Sequence, residues 1–417
     1  MSRTIFHIDA NSAFLSWSAA KLVREGRDDP RLIPSVVGGS EESRHGIVLA
    51  KSVPAKVYGI KTGEPLFTAR QKCPHLAVVK PDYELYTGNS NAMAKILAEY
   101  TPFLQRYSVD ECFLDYTGME PFFGKPKEAA DSIRERFKNE LGWTVNVGIG
   151  PNKLLAKMAS ELQKPDKTHI MYYEDIKEKL WVLPVEELFM LGRATAKQLH
   201  NVGIHTIGEL AGTDLALLIR LFKECRGRML WSFANGYDDS PLIPNGLIPV
   251  KGFSNSTTTP KDIKSREEAL KILLSLCDTV TYRLRKQFFN ARVIGIDLKN
   301  TFFEHTGKQK TLDNPADSLT EIYTHITELF DGIWDGRPLR ALGVRLTSLS
   351  PNFHVQQFMY TPPIIEKLRT LDLTADKIRY KYGTAAITRA AILDFSHKKI
   401  TNDDELRGVT AGFLSKM

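Results

Sequence analysis

The sequence predicts a multidomain α+β protein. Three observations carry that expectation. At 417 residues the chain is too long for one compact core, so about three or four domains are expected. Up to residue 172, apolar strand-like runs that end on acids alternate with amphipathic helical stretches. A segment without periodicity, 238–250, carries three prolines and separates a helical stretch from a second alternation of strands and helices.

Taken in order, Ile5-Phe-His-Ile-Asp9 is an apolar strand closing on an acid, and a helix over Asn11 to Lys21 follows, capped by Asn11 or Ser12. Residues 30–80 break into short strand-like pieces among Gly and Pro, a small subdomain. Residues 87–105 predict an amphipathic helix. The run Tyr107-Ser-Val-Asp-Glu-Cys-Phe-Leu-Asp115 then sets Asp110 and Glu111 inside an otherwise β-prone stretch. A helix over 126–141, a strand over 143–150 and a helix from Asn152 through Glu161 complete an antiparallel sheet backed by helices. From 175 to 235 the pattern is helical. Within it, 188–204 reads as helix, tight turn on Gly192, helix, then Gly203. Past the linker, strands at 292–298 and 340–346 and helices at 266–289 and 315–334 form one more α+β domain. After Pro351 the composition is polar, with one short helix near 372–382.

Bulk composition excludes little. Hydrophobic content of 42% and charged content of 25% are ordinary for a globular protein. The net charge of +7, about one extra positive charge per sixty residues, leans only weakly toward a polyanionic partner. Cys73, Cys112, Cys225 and Cys277 lie far apart without zinc spacing, so reduced, buried thiols are expected. No secretory segment or membrane span is legible, and the expected location is the cytoplasm, associated with the nucleoid.

The chemistry lies in the acids. Strands rarely keep charge among apolar neighbours, and carboxylates at strand ends suit divalent cations that need hard oxygen ligands. Salt-bridged surface acids are the plain alternative for any one of them. Adjacent residues in a strand face opposite ways, so Asp110 and Glu111 converge only at a strand end or bend. Gly148-Ile-Gly150 lacks the third glycine and the later acid of a dinucleotide-binding fingerprint.

Ile8-Asp-Ala-Asn-Ser-Ala-Phe14, Ser108-Val-Asp-Glu111, Gly148-Ile-Gly-Pro-Asn-Lys153 with Leu-Ala-Lys157, and Lys164-Pro stand in the order and spacing of the Y-family (translesion) DNA polymerases. Asp9-Ala-Asn11 and Leu49-Ala-Lys-Ser-Val-Pro-Ala-Lys56 resemble the UmuC-like branch, close to DNA polymerase IV. The resemblance runs from residue 4 to about residue 350.

It implies a right-hand polymerase: a palm from 1–10 and 79–172, small fingers from 11–78, a helical thumb with a helix-hairpin-helix from 173–238, a linker from 239–250, an α+β little finger from 251–350 and a tail from 351–417. Asp9, Asp110 and Glu111, with the Ala10 carbonyl, match the ligands of two Mg²⁺ ions, for which Mn²⁺ can substitute. Lys56 and Lys164 match triphosphate-binding positions, with Lys51 sharing the grip. Backbone amides of Asn11, Ser12, Ala13 and Phe14 would add anion-binding donors. Phe14 matches the steric gate against a ribose 2′-OH; a core aromatic is its plain alternative. Val53 and Lys56 stand where many relatives have Tyr and Arg, and Asp166-Lys167 where Asn-Gly is usual.

Gly192 and Lys197 belong to the hairpin that would grip duplex phosphates, although Met190 replaces an expected turn glycine. Arg292, Lys299, Arg340 and Arg345 would line a phosphate-tracking face of the little finger. Gln356, Phe358 and Tyr360 resemble a sliding-clamp-binding peptide. The implied activity is primer extension with dNTPs on primer-template DNA, error-prone and lesion-bypassing, by a monomer unless accessory subunits bind. The rival readings are a palm-type nucleotide cyclase and a non-catalytic DNA- and clamp-binding scaffold.

Overall fold

A computed structural model describes residues 3–40, 44, 46–244, 247, 249–352 and 363–392. They fall in two compact units. The first gathers Met1–Gly38, Val48–Glu64 and Thr68–Ile248; the second gathers Gly39–Ile47, Pro65–Phe67 and Pro249–Met417. No helix among the described residues is long and apolar enough to cross a membrane.

The strands of the first unit are β1 (Ile5–Ala10), β2 (Ser35–Gly38), β3 (Val48–Lys51), β4 (Ala77–Val79), β5 (Leu104–Arg106), β6 (Glu111–Asp115), β7 (Val145–Gly150) and β8 (Thr168–Ile170). They make a five-stranded sheet of order β5-β6-β1-β7-β8 and a three-stranded sheet of order β3-β2-β4. The large sheet is mixed rather than antiparallel throughout, because β7 and β8 pair in parallel. The helix Lys153–Glu161 provides the crossover such a pair needs.

Register explains how the acids meet. Asp9 on β1 pairs with Glu111 on β6, and His7 with Phe113, so each pair shares one face of the sheet. On the other side Asp9 pairs with Asn146, and His7 with Gly148. The helix Lys153–Glu161 lies against this face. Side chains at Gly148 and Gly150 would occupy the helix: a Cβ at 148 would collide with the Ala156 carbonyl and the Ser160 amide, and one at 150 would sit 2.7 Å from the Ala156 amide nitrogen. The Gly-Ile-Gly run therefore exists for close helix–sheet packing. Gly148→Ala is expected to cost about 3 kcal/mol or more, read as a lowered thermal midpoint, because backbone cannot yield as a side chain does.

The first helix runs Ala13–Arg24 and begins at Ser12, whose φ of 48° is left-handed and whose hydroxyl makes no cap bond. Its buried face carries Trp17, which meets Trp143 edge-on at 5.8 Å; Phe137 adds a ring 5.0 Å from Trp143. The amphipathic helix expected over 87–105 is Tyr83–Ala98, capped by Asp82, whose carboxylate accepts from the Leu85 amide.

Two expectations about the helical stretch and the tail change. Residues 188–191 are not helical: a 3-10 turn at Val185–Glu187 is the element next before Gly192, so the 188–204 hairpin is turn-then-helix, with Arg193–His200 following. The helix near 372–382 is longer, Pro363–Tyr382. Met190 takes φ 67°, the conformation that the missing glycine would adopt freely. Arg226 steadies the turn by donating to the Met190 carbonyl at 2.7 Å.

The second unit holds β9 (Gly252–Ile263), β10 (Phe289–Asn300), β11 (His305–Ala316) and β12 (Leu339–Pro351) in the antiparallel order β11-β10-β12-β9. Helices Arg266–Lys286 and Leu319–Asp331 bury Ile272, Leu276, Ile322 and Ile326 in a core shared with Ile294, Ile296, Val344 and Leu346. The helix Pro363–Tyr382 is joined to this core by ions. Arg285 donates to Asp376 at 2.6 Å, and Arg379 grips Asp278 with bonds of 3.2 and 2.7 Å. Of the cysteines, Cys73, Cys112 and Cys277 are buried as expected, while Cys225 is exposed.

Candidate active site

Asp9 reaches the site at the end of a fully buried strand, and Glu111 beside it at the first residue of β6. Asp110 lies just before that strand, in a turn closed by Tyr107 and Ser108 amides that both donate to the Glu111 carbonyl, at 2.8 and 3.1 Å. The Ala10 amide donates to the Asp110 carbonyl at 3.0 Å, tying the turn to β1. The bend that neighbouring acids need is thus supplied by a strand start. Asp110 accepts from the Ser108 hydroxyl at 2.5 Å, and burial pushes its carboxyl up to about 6.

The trio packed most tightly differs from the expected one. Asp9, Glu111 and Glu161 bring ligand oxygens within 4.8 Å of one another, while Asp110 lines the same cleft without joining that cluster. Two lysines answer the negative charge. Lys157 donates to Asp9 at 3.3 Å, to Glu111 at 2.8 Å and to Glu161 at 2.8 Å. Lys164 donates to the same Asp9 oxygen at 2.8 Å and to Glu161 at 2.9 Å. Burial opposes charge on Lys157, yet Glu111, Asp9 and Glu161 outweigh it and raise its pKa. For Glu111, burial is likewise outweighed, here by His7 and Lys157, and its carboxyl is held low. His7 is fully buried; its Nδ1 meets the Ser160 hydroxyl at 2.8 Å, and its Nε2 stands 3.6 Å from Glu111.

Asp9, Asp110, Glu111, Glu161 and Lys164 open onto a cleft of about 420 Å³. Its far wall comes from the three-stranded subdomain and includes Lys51, Val53, Lys56 and Thr62. Lys51 donates to the Ile60 carbonyl at 2.5 Å, and burial and Lys56 lower its pKa. Phe14 also lines the cleft. Its ring stacks on Tyr86 at 4.5 Å and 9°, and Tyr86 is pinned by a 3.0 Å hydrogen bond to Ser18. Phe14 is therefore both packed against the core and presented to the cleft.

One expected anion donor is lost, since the Asn11 amide is spent on the Thr144 carbonyl at 3.0 Å. Ser12, Ala13 and Phe14 remain at the helix opening, where first-turn amides lack intrahelical acceptors. The Asp166 departure is accommodated: Asp166 takes φ 56° and Arg134 holds both its carboxylate and its carbonyl.

The predicted DNA-contacting residues divide. Gly192 caps the helix that carries Lys197. Lys299 and Arg345 share the sheet face opposite the helices of the second unit, Arg345 being ion-paired with Asp297 at 3.0 Å. Arg340 and Lys299 both stack on Phe303, at 4.9 and 4.8 Å. Arg292 stands at a bulge and spends its Nε on the Leu312 carbonyl. Gln356, Phe358 and Tyr360 lie outside the described residues.

His7, Lys157 and Glu161 join the site although the sequence assigned them no role, Lys157 entering there only as part of a motif. Their signal was present: His7 is two residues from Asp9 on the same strand face, and Glu161 is spaced i+4 from Lys157 and i−3 from Lys164.

The model of the impB/mucB/samB family matches residues 8–161, and that of its C-terminal domain matches residues 250–359. The chain is 44% identical to a DNA polymerase IV of Clostridium acetobutylicum, over 95% of this chain and 100% of that protein. It is 34% identical to DNA polymerase IV 1 of Bacillus subtilis over 95% of each. This chain belongs to the Y-family of DNA polymerases. A solved Y-family DNA polymerase chimera shares the fold, with a TM-score of 0.73 at 21% identity, covering 84% of this chain and all of that one. The Y-family is metal-dependent, and the cleft's acids, oxygen donors without nitrogen or sulfur among them, fit a hard divalent cation.

Proposed function

We propose that the chain is a template-directed DNA polymerase that adds deoxynucleotides to a primer 3′-OH, an error-prone lesion-bypass enzyme of DNA repair and the SOS response. The observation that carries this is one cleft lined by Asp9, Asp110 and Glu111, by Lys164 bonded to Asp9, by Lys51 and Lys56 of the three-stranded subdomain, and by Phe14. A non-catalytic scaffold would need none of these acids, and a cyclase no hairpin or second α+β unit.

In this reading the large sheet is the palm, the three-stranded subdomain the fingers, 173–238 the thumb and 251–350 the little finger. Asp9, Asp110 and Glu111, with the Ala10 carbonyl, would hold two Mg²⁺ ions, or Mn²⁺ in their place. Bound there, such ions acidify the primer hydroxyl and offset charge on the transferring phosphoryl group. The chain's own groups do the positioning. Lys56 and Lys164 take triphosphate oxygens, and the Ser12 to Phe14 amides add neutral donors. Lys51 shares the grip: one bond to the Ile60 carbonyl fixes its ammonium in the wall and leaves its other donors for phosphate.

The test is primer extension on a primed template with dNTPs, with and without Mg²⁺. Metal-dependent extension is expected, and none at all would refute the reading. Phe14 fills the space beside the sugar because Tyr86 and Ser18 hold it still. Phe14→Ala is expected to raise ribonucleotide incorporation by about a hundredfold, the scale on which removing one steric contact in a tight site alters discrimination. Unchanged sugar selectivity would make Phe14 a core residue only. Primer-template DNA and dNTPs are the substrates, and a sliding clamp is the proposed partner of Gln356 to Tyr360. Deleting those residues should abolish clamp binding and leave clamp-free extension intact.

A further inference from the structure

Three carboxylates within 4.8 Å repel one another, and the fold needs a cation among them whether or not a metal is present. Lys157 provides one. It rises from the helix packed against Gly148, is nine-tenths buried, and reaches oxygens of all three acids. Two of those oxygens, on Asp9 and Glu111, belong to groups that the proposed function assigns to divalent metal. An ammonium and a metal ion cannot both hold them fully.

We propose that Lys157 is a resident counter-cation that keeps Asp9 and Glu111 assembled before metal enters, and that Glu161 is the carboxylate to which it is handed over. Glu161 suits this part. One of its oxygens already accepts from Lys157 at 2.8 Å and from Lys164 at 2.9 Å, and it sits at the open edge of the cluster. Metal loading on Asp9 would also release Lys164, which shares that Asp9 oxygen, toward the triphosphate. Lys157 is on this view a positioning residue: it touches no substrate and acts through the acids it holds.

The inference rests on the metal reading of Asp9 and Glu111, and the test separates the two. Mn²⁺ binding is followed by paramagnetic resonance on the full chain without DNA or nucleotide, alongside thermal midpoints in chelator. Wild type is compared with Lys157→Met, Glu161→Gln, the double variant and Asp9→Asn. Lys157→Met should bind Mn²⁺ at least about tenfold more tightly, because a competing charge has gone. It should also melt lower in chelator and recover with Mn²⁺. Glu161→Gln should weaken binding in the wild-type background and change nothing in the Lys157→Met background. A residue that merely supported the fold would weaken binding when removed. Equal or weaker binding by Lys157→Met overturns the proposal. So does equal weakening by Glu161→Gln in both backgrounds, since Glu161 would then be a ligand itself. Should Lys157→Met fold poorly, Lys157→Gln, which keeps amide donors to the acids without the charge, replaces it in both arms with the same expected and overturning results. Unchanged binding in Asp9→Asn would overturn the metal reading, and this inference with it.

Discussion

Asp110→Asn is expected to leave the metal-free protein more stable and the polymerase inactive. Burial holds the Asp110 carboxyl up to about 6 in the fold, above its unfolded value of 3.8. The folded chain therefore binds the extra proton between those values. The stability this contributes is fully present below pH 3.8 and is lost as pH rises through about 6. Above that point the ionised, buried group costs about 3 kcal/mol. The amide carries no charge to desolvate, so Asp110→Asn should raise the thermal midpoint in chelator at pH 8. The gain should shrink as pH falls and vanish near pH 4. Extension should fall by at least about a thousandfold, the scale on which one electrostatic partner of a transition state matters. A group tuned for structure would show the opposite pattern, with stability lost on substitution.

Arg285→Ala is expected to detach the helix Pro363–Tyr382 from the second unit. The Arg285 side chain is almost wholly buried and donates to Asp376 at 2.6 Å and to the Asp317 carbonyl at 2.8 Å, with Asp372 at 3.8 Å. Asp372 also accepts from the Leu319 amide at 2.9 Å and from Arg389 at 3.0 Å. Removing the arginine leaves Asp376 with only the more distant Arg379, at 3.9 Å, and Asp372 with only Arg389, a loss of about 3 kcal/mol. Hydrogen exchange on the full chain should show helix 363–382 losing protection while β10 and β12 keep theirs. Retained protection in the helix would mean that apolar contacts, not ions, hold it.

How much of this was legible in the sequence depended on which faces are buried. The strand Ile5–Ala10 and the strand Val145–Gly150 are buried on both faces, and the apolar residues of one face, Phe6, Ile8, Val147 and Ile149, make their runs legible even though the other face carries His7, Asp9 and Asn146. β9 and β11 gave no such signal. They are the edge strands of their sheet, and β11 exposes every residue from His305 to Thr311, so nothing requires apolar alternation there. The Asp110-Glu111 convergence was invisible because it depends on where a strand begins, a boundary set by pairing with β1 rather than by local propensity. The missing first helix of the thumb hairpin has a similar cause. Leu188 and Leu191 are buried at helix-like spacing but from an irregular turn, in which Met190 takes a left-handed conformation. Lys157 and Glu161 resemble an ordinary surface i,i+4 pair until Gly148 brings their helix against the acids.

The catalytic assignment is tested most directly by single-turnover addition of one dNTP to a primed template, with DNA binding measured on the same samples. Wild type, Asp9→Asn, Asp110→Asn and Glu111→Gln should bind the primer-template alike, while only wild type extends it and only with divalent metal. Extension by any of the three variants at a rate near wild type, or their failure to bind DNA, would contradict the placement of nucleotidyl transfer at these carboxylates.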